Sequence, residues 1–383
     1  MKVLRPWFHT QVVKRALVGL RVVELGTYVA APALGNMLGM LGARVVKVEP
    51  PEGDPTRKTT PWSWANYNWN KRSLALDLKS REGVLHLKRL LAGSDVFIES
   101  LSPRAVKELG LGYDRVKKIN PKVIYCSIKG FAQDSSRAHR LGFDTIAQAE
   151  GGLMHVARGE DGKPARVGNP CVDLTAATFG MVGVLAALLQ KPRRATFIEV
   201  PLHDVVVFWN GYWLPYIDIK GDEPSHLGSS HPGFSPYGVF SVKDGFVFIG
   251  VLSDQQWVKL VEKLGLDSPR TYASTEARII SRERVNAMVQ DAMKEYSMDG
   301  VLALLGESVP CARISTLSEI HDNAELRRRG VVREVSHEGK RVSVALPPFL
   351  HRIVPRGVKE LPEVGDEKQG KGRRPRGGAK VPY

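Results

Sequence analysis

Few residues in this chain have the type and spacing to carry chemistry. The turn Gly26-Thr27-Tyr28-Val29-Ala30-Ala31 ends a β-branched run and opens an apolar stretch, the place where many α/β folds bind phosphate. Tested against G-x-G-x-x-G it lacks the second glycine, although Ala31 can stand for the last small residue and Glu49 follows at the end of the next strand. An ordinary NAD-dependent dehydrogenase is therefore not expected. Asp173 stands just before the small-residue apolar run 174–189, and from position alone it reads as a helix N-cap, because a short carboxylate accepts well from the first N–H groups. Cys126, Cys171 and Cys311 are too few and too scattered for a disulfide framework or a CxxC site, which favours a reducing compartment, with the cytoplasm as the default. No GxxxxGK[ST] sequence occurs, and no His/Cys/carboxylate group has metal-ligand spacing, so no metal is expected.

These candidates must be held by a scaffold, and 383 residues with 43% hydrophobic and 25% charged composition describe a globular protein with a sizeable core. A net charge of +15 points to an anionic partner: nucleic acid, an acidic surface or a phosphorylated cofactor. Residues 366–383 read as a solvated basic tail, since Gly and Pro interleave six Lys/Arg and only two acids there. That tail has a single aromatic, Tyr383, which disfavours nucleic-acid recognition through stacked bases. The longest apolar run, 176–189, falls short of a bilayer span, and the N-terminus has no signal-peptide core, so no membrane attachment is expected.

Strand signals at 20–25 and 43–48 flank a helical stretch at 32–41, a βαβ unit of right-handed topology. Strand 73–78, helix 80–91, strand 95–99, helix 103–109 and strand 123–127 continue the alternation. Such repetition predicts an α/β fold with a parallel sheet covered on both faces. Helix 174–189, strand 196–200 and a helical aromatic segment 203–216 follow. Residues 221–236, rich in Gly, Ser, Pro and His, read as a linker to a hairpin at 237–251 that turns at Lys243-Asp244-Gly245, and then to helices at 254–264, 282–294 and 298–307. The expected division is a discontinuous large domain, 1–220 plus 330–383, with a small α+β domain at 221–329 inserted.

Six blocks do more than periodicity can: 17–57 (LVGLRVVELGTYVAAPALGNMLGMLGARVVKVEPPEGDPTR), NKRSLALDLKS, SDVFIESLSP, NPKVIYCSIKGF, GFDTIAQAEGG and VDLTAATFGMVGVLAALL. In this order and spacing, with HPGFSPYGVFSVKDGFVFIGVLSDQQW after them, the chain resembles the class III CoA-transferases over about residues 17–350. That family takes in formyl-CoA transferase, the carnitine CoA-transferases and, as a sister branch, α-methylacyl-CoA racemase. The resemblance implies a Rossmann-like large domain that binds CoA, a small α+β domain, and an interlocked homodimer. Acyl-CoA and a carboxylic acid would be its substrates, with no tightly bound cofactor.

The same resemblance makes Asp173 the acyl acceptor, and the helix N-terminus is expected to keep it ionised. The implied reaction is CoA transfer through an aspartyl anhydride and an aspartyl-CoA thioester. The alternative is an acyl-CoA racemase or isomerase acting by α-proton transfer, which needs acid/base groups. In that branch a histidine occupies the position filled here by Phe143, and His139 and His155 are expected on the surface. CoA contacts carried over are Val29 and Ala30 in the first turn, Leu76 and Lys79 around the adenosine, and Ile128, Lys129 and Gly130 near the thioester, with Arg72 and Arg104 as further phosphate cations. The chain departs from the family at Ser100-Leu101-Ser102, where Asn-Phe-Arg is common, and at Pro50, where formyl-CoA transferase has arginine. It also lacks that enzyme's glycine run and the family's usual C-terminal ending.

Overall fold

The computed structural model describes residues 15–367 except 160, 226, 227, 356 and 358. Contacts divide the chain into two compact units, one built from residues up to Gly151, Gly168–Phe208 and the segment from Asn323, the other from Gly152–Val167 and Trp209–Asp322. The main segment of the second unit thus runs 209–322 where 221–329 is expected from sequence, and a second piece joins it.

In the first unit six strands, β1 (Arg21–Leu25), β2 (Arg44–Glu49), β3 (Arg72–Ala75), β4 (Val96–Glu99), β5 (Ile124–Lys129) and β6 (Thr196–Pro201), form one sheet in the order β3-β2-β1-β4-β5-β6. Every neighbouring pair is parallel, as with Val22 opposite both Val45 and Val96. This is the doubly wound order whose chain reversal, between β1 and β4, opens a crevice at the carboxyl edge. The expected α/β class and parallel sheet are observed. β3 is shorter than its 73–78 signal, because Leu76 already turns away after donating its N–H to Glu49 O at 2.9 Å.

Strand alternation sends Phe97, Tyr125 and Phe197 to one face, where α3 (Arg81–Ala92) closes a core with Leu87 and Leu91. Cys126 and Ile198, one residue on in β5 and β6, face the other side and meet α5 (Cys171–Leu189). Small residues set that contact: a Cβ on Gly180 would lie 2.8 Å from Leu34 and 3.4 Å from Cys126 Sγ, and one on Gly183 would lie 2.9 Å from Ile198. Leu34 belongs to α1 (Ala30–Met40), all of whose residues are buried. Two further helices of this unit are α2 (Pro61–Asn68) and α4 (Asp144–Glu150), and α6 (Leu202–Asn210) follows β6. At 19 residues α5 is longer than the 14-residue run suggests, and by length and composition it is apolar enough to cross a membrane.

The second unit pairs β7 (Tyr237–Val242), β8 (Gly245–Gly250) and β9 (Cys311–Arg313) antiparallel in that order. Helices α7 (Asp254–Leu264), α8 (Arg282–Met293) and α9 (Met298–Leu305) bury Trp257, Leu260, Val285, Val289 and Leu305 against Val247 and Ile249. Back in the first unit, β10 (Val332–His337) and β11 (Lys340–Ala345) form a hairpin. The end of the described chain docks on the edge strand β3: Ser73 N–H donates to Asp366 Oδ1 at 2.6 Å, and Glu367 N–H donates to Ser73 O at 2.8 Å. Asp366 and Glu367 are therefore part of the fold rather than the start of a solvated tail, and the basic stretch 368–383 lies outside the described residues.

Candidate active site

Asp173 is the third residue of α5, which begins at Cys171 rather than at 174. That places its carboxylate inside the first turn, and Pro170 at the cap position offers no side-chain acceptor. The cap comes from elsewhere in the chain. Asp144, the first residue of α4, accepts from Val172 N–H at 2.9 Å and from Asp173 N–H at 3.1 Å, both on Oδ2. Its Oδ1 accepts from Gln148 Nε2 at 2.6 Å, and both side chains are buried. The N-cap reading of Asp173 is thus replaced by a cap 29 positions earlier, and among the described residues the Asp173 carboxylate accepts no hydrogen bond.

The consequence is electrostatic. Burial raises the Asp173 pKa to about 7, and the Asp144 charge adds to the rise. The expectation that the helix terminus keeps this group ionised is corrected: Asp144 already takes the donors of that terminus, and burial and that like charge raise the group instead. Tyr67, on α2, feels Asp173 in turn, its phenol pushed up first by burial and further by that charge, against a hydrogen bond with Asn66. The Cys171 thiol is raised by burial and by Asp144 and Asp173. No histidine is among these groups, and Phe143, at the position where the racemase branch has one, is 59% exposed.

The first turn is held from beneath. Lys47, fully buried, donates to Gly26 O at 2.6 Å and pairs with Glu24 at 3.2 Å and Asp54 at 2.9 Å. Burial alone would lower its pKa, but Glu24 and Asp54 outweigh burial and raise it. Lys71 pairs with Glu24 at 2.6 Å and donates to Pro32 O and Asn68 Oδ1, each at 2.8 Å. Here burial wins, and the Lys71 pKa falls to about 8. Lys47 thus spends its donors on the backbone of the turn and on buried carboxylates, and Lys71 on Glu24, on the start of α1 and on α2, the helix of Tyr67. Tyr28 takes a left-handed φ of 62° in the turn and exposes its ring. A Cβ on Gly26 would lie 2.5 Å from Ser100 Oγ, so glycine is what lets the β1 and β4 turns meet at the crevice.

Of the contacts carried over from sequence, Val29, Ala30, Leu76, Ile128, Lys129 and Gly130 lie at the carboxyl edge of the sheet, with Lys79 exposed just beyond it. Lys129 is buried and already engaged, pairing with Glu99 at 2.6 Å and donating to Leu101 O at 2.5 Å. Burial lowers its pKa against the pull of Glu99. Gly130 touches Gly142, where a Cβ would fall 2.5 Å from the Gly142 Cα, so residues 131–141 form a closed loop that returns the chain to Phe143 and Asp144. Arg72 is not with the others. It opens β3, roughly 10 Å below the carboxyl edge at about 3.3 Å per residue, and pairs with Asp366 at 3.5 Å. Arg104 is exposed and pairs with Glu108 at 2.7 Å. His139 is exposed, and His155 pairs with Glu223 at 2.9 Å within the second unit.

Sequence reasoning missed Asp144, Gln148 and Tyr67. The only available signal was that Asp144 lies inside the quoted block GFDTIAQAEGG. Among the described residues no group of three or more His, Cys, Asp or Glu could hold a metal ion.

The sequence profile of CoA-transferase family III matches residues 17–368. The succinyl-CoA:glutarate CoA-transferase of Mus musculus is 33% identical over 337 residues, 84% of this chain and 77% of that protein. The succinate–glutarate CoA-transferase of Agrobacterium fabrum is 32% identical over 379 residues, 93% of this chain and 94% of that one. A crystal structure of a CAIB/BAIF family protein from Brucella suis superposes with a TM-score of 0.80 at 29% identity, covering 91% of this chain and 96% of that chain. The profile spans nearly the whole chain and the α/β sheet is that of the solved relative: the chain belongs to CoA-transferase family III and is an enzyme of the CoA-transferase class.

Proposed function

We propose that this enzyme moves CoA from succinyl-CoA to a second dicarboxylate, glutarate being the first to test, with Asp173 as the acyl acceptor. The donor and acceptor rest on the relatives, which are named for succinyl-CoA with glutarate, mesaconate, D-citramalate or L-malate. The role of Asp173 rests on one observation above all: its carboxyl, raised by burial and by Asp144, stands at a helix N-terminus whose donors Asp144 holds, and among the described residues it accepts no hydrogen bond itself. An aspartate placed there only to cap the helix would take those donors itself.

In the forward half, an Asp173 oxygen attacks the thioester carbonyl, the C–S bond breaks, and the thiolate leaves with the electron pair. The thiolate then attacks the Asp173 carbonyl of the mixed anhydride, expelling succinate and leaving an aspartyl-CoA thioester. The acceptor carboxylate reverses both steps, so no net proton is consumed. Val29, Ala30, Leu76, Lys79, Ile128, Lys129 and Gly130 are proposed to line the CoA path, the first unit serving as the CoA-binding domain and the second as the small domain. Lys129 there holds Leu101 in place rather than reaching for a phosphate. The interlocked homodimer is part of this reading, supported by apolar side chains left open on α5 and α6, where the Phe179 and Phe208 rings meet at 5.3 Å.

Incubation with succinyl-CoA and hydroxylamine should convert Asp173 to its hydroxamate, read by peptide mass, and Asp173→Ala should lose at least about 10³-fold in kcat. Wild-type turnover in Asp173→Ala would reject the nucleophile.

A further inference from the structure

The Asp144 carboxylate is fully committed: two backbone N–H groups of α5 on one oxygen, the buried Gln148 amide on the other. Helix starts leave their first N–H groups open, and an acidic residue in the first turn ordinarily profits from them. Here the residue that profits is not the one on the helix. We propose that Asp144 is the positioning residue of the reaction: by occupying the α5 N-terminus it fixes the height and direction of Asp173 and keeps a negative charge against it that acylation relieves. This rests on the reading of Asp173 as acyl acceptor.

The charge balance gives the reason. When the Asp173 oxygen bonds to the acyl carbon and the C–S bond breaks, the negative charge leaves Asp173 with the departing sulfur. The group beside Asp144 becomes neutral, as it also is in the aspartyl-CoA thioester. Repulsion is therefore present in the resting carboxylate and absent in both covalent intermediates, which favours their formation. Other charges do not cancel it. α1 carries no titratable side chain. On β5, Lys129 pairs with Glu99, the Tyr125 hydroxyl donates to Leu111 O, and Cys126 abuts Gly180. On β6, Glu199 accepts from Gln133 N–H, and on α4, Glu150 is held by Arg137 and Arg140. Tyr67 on α2 and Cys171 on α5 are neutral near pH 7, their pKa values raised.

Asp144→Asn separates charge from cap, since the amide oxygen can still accept both N–H groups while Gln148 turns its own oxygen to the new NH2. In the full-length enzyme, with succinyl-CoA and glutarate, single-turnover CoA release is followed against pH, together with KM and melting temperature. Asp144→Asn should keep its KM and, near pH 4 where Asp173 is protonated in both proteins, its melting temperature, lose roughly tenfold in acylation rate, and move the acid limb of the profile down by about one pH unit. Asp144→Glu, which restores the charge, should keep the limb near its wild-type position, and Asp144→Ala should also melt lower. An Asn variant with the wild-type rate and limb overturns the proposal, as does a Glu variant whose limb shifts like that of Asn, a comparison that holds even where the Asn protein folds poorly. If wild type yields no Asp173 hydroxamate, the nucleophile reading has failed. If it does and the limb is unmoved by Asn, only the role of Asp144 has failed.

Discussion

At Asp173, burial and a neighbouring carboxylate raise an acid that sequence reading expects to be ionised. The stability consequence has a definite sign. A carboxyl whose folded pKa lies above its unfolded value near 3.8 contributes stability below that value and loses it as pH rises through about 7. Asp173→Asn should therefore melt several degrees above wild type at pH 8, with the gain shrinking toward zero by pH 4; equal melting at both pH values would show that Asp173 is not held under this strain. The place of Asp173 at the start of α5 was legible from sequence through its block, and its contact with Asp144 was not. The contact between them joins the start of α4 to the start of α5, and nothing in a run of 29 residues states which carboxylate will lie over which helix end.

At the scale of elements, α1 shows how small residues position charge. A Cβ on Gly35 would fall 2.0 Å from Glu24 Oε2 and 3.4 Å from Lys71 Cε, so glycine is what lets α1 lie on the buried Glu24 with its two lysines. In an exposed helix Gly→Ala stabilises by about 1 kcal/mol. Gly35→Ala should do the reverse and cost about 2–3 kcal/mol in urea unfolding, because it forces α1 off the sheet or displaces an ionised side chain with no room to move. A variant as stable as wild type would show the packing to be slack. The helix was readable from its apolar stretch, but its polar floor was not: Glu24 and Lys47 sit in strands that read as ordinary β-branched runs, and only their adjacency in the parallel sheet pairs them.

For the whole molecule, the open apolar side chains are the feature that one chain leaves unresolved: Phe179 is 37% exposed, Val182 55%, Leu189 81% and Phe208 66%. Light scattering should give a particle of two chains that persists on dilution, and Phe208→Glu should weaken the assembly. A monodisperse single chain with full transfer activity would reject the interlocked dimer. The sequence by itself determined the alternation of strands and helices, the parallel sheet, the family and an aspartate near the start of α5, since periodicity and ordered blocks are written along the chain. Only the tertiary structure decided that Arg72 lies away from the carboxyl edge, that Lys129 is consumed by Glu99, that Asp366 and Glu367 dock on β3, and that Asp144 rather than Asp173 caps α5. The physical reason is common to all four. A side chain's hydrogen-bond and charge partners come from segments distant in sequence, and where two carboxylates meet, the fold sets which one takes the helix N–H groups and which one does not.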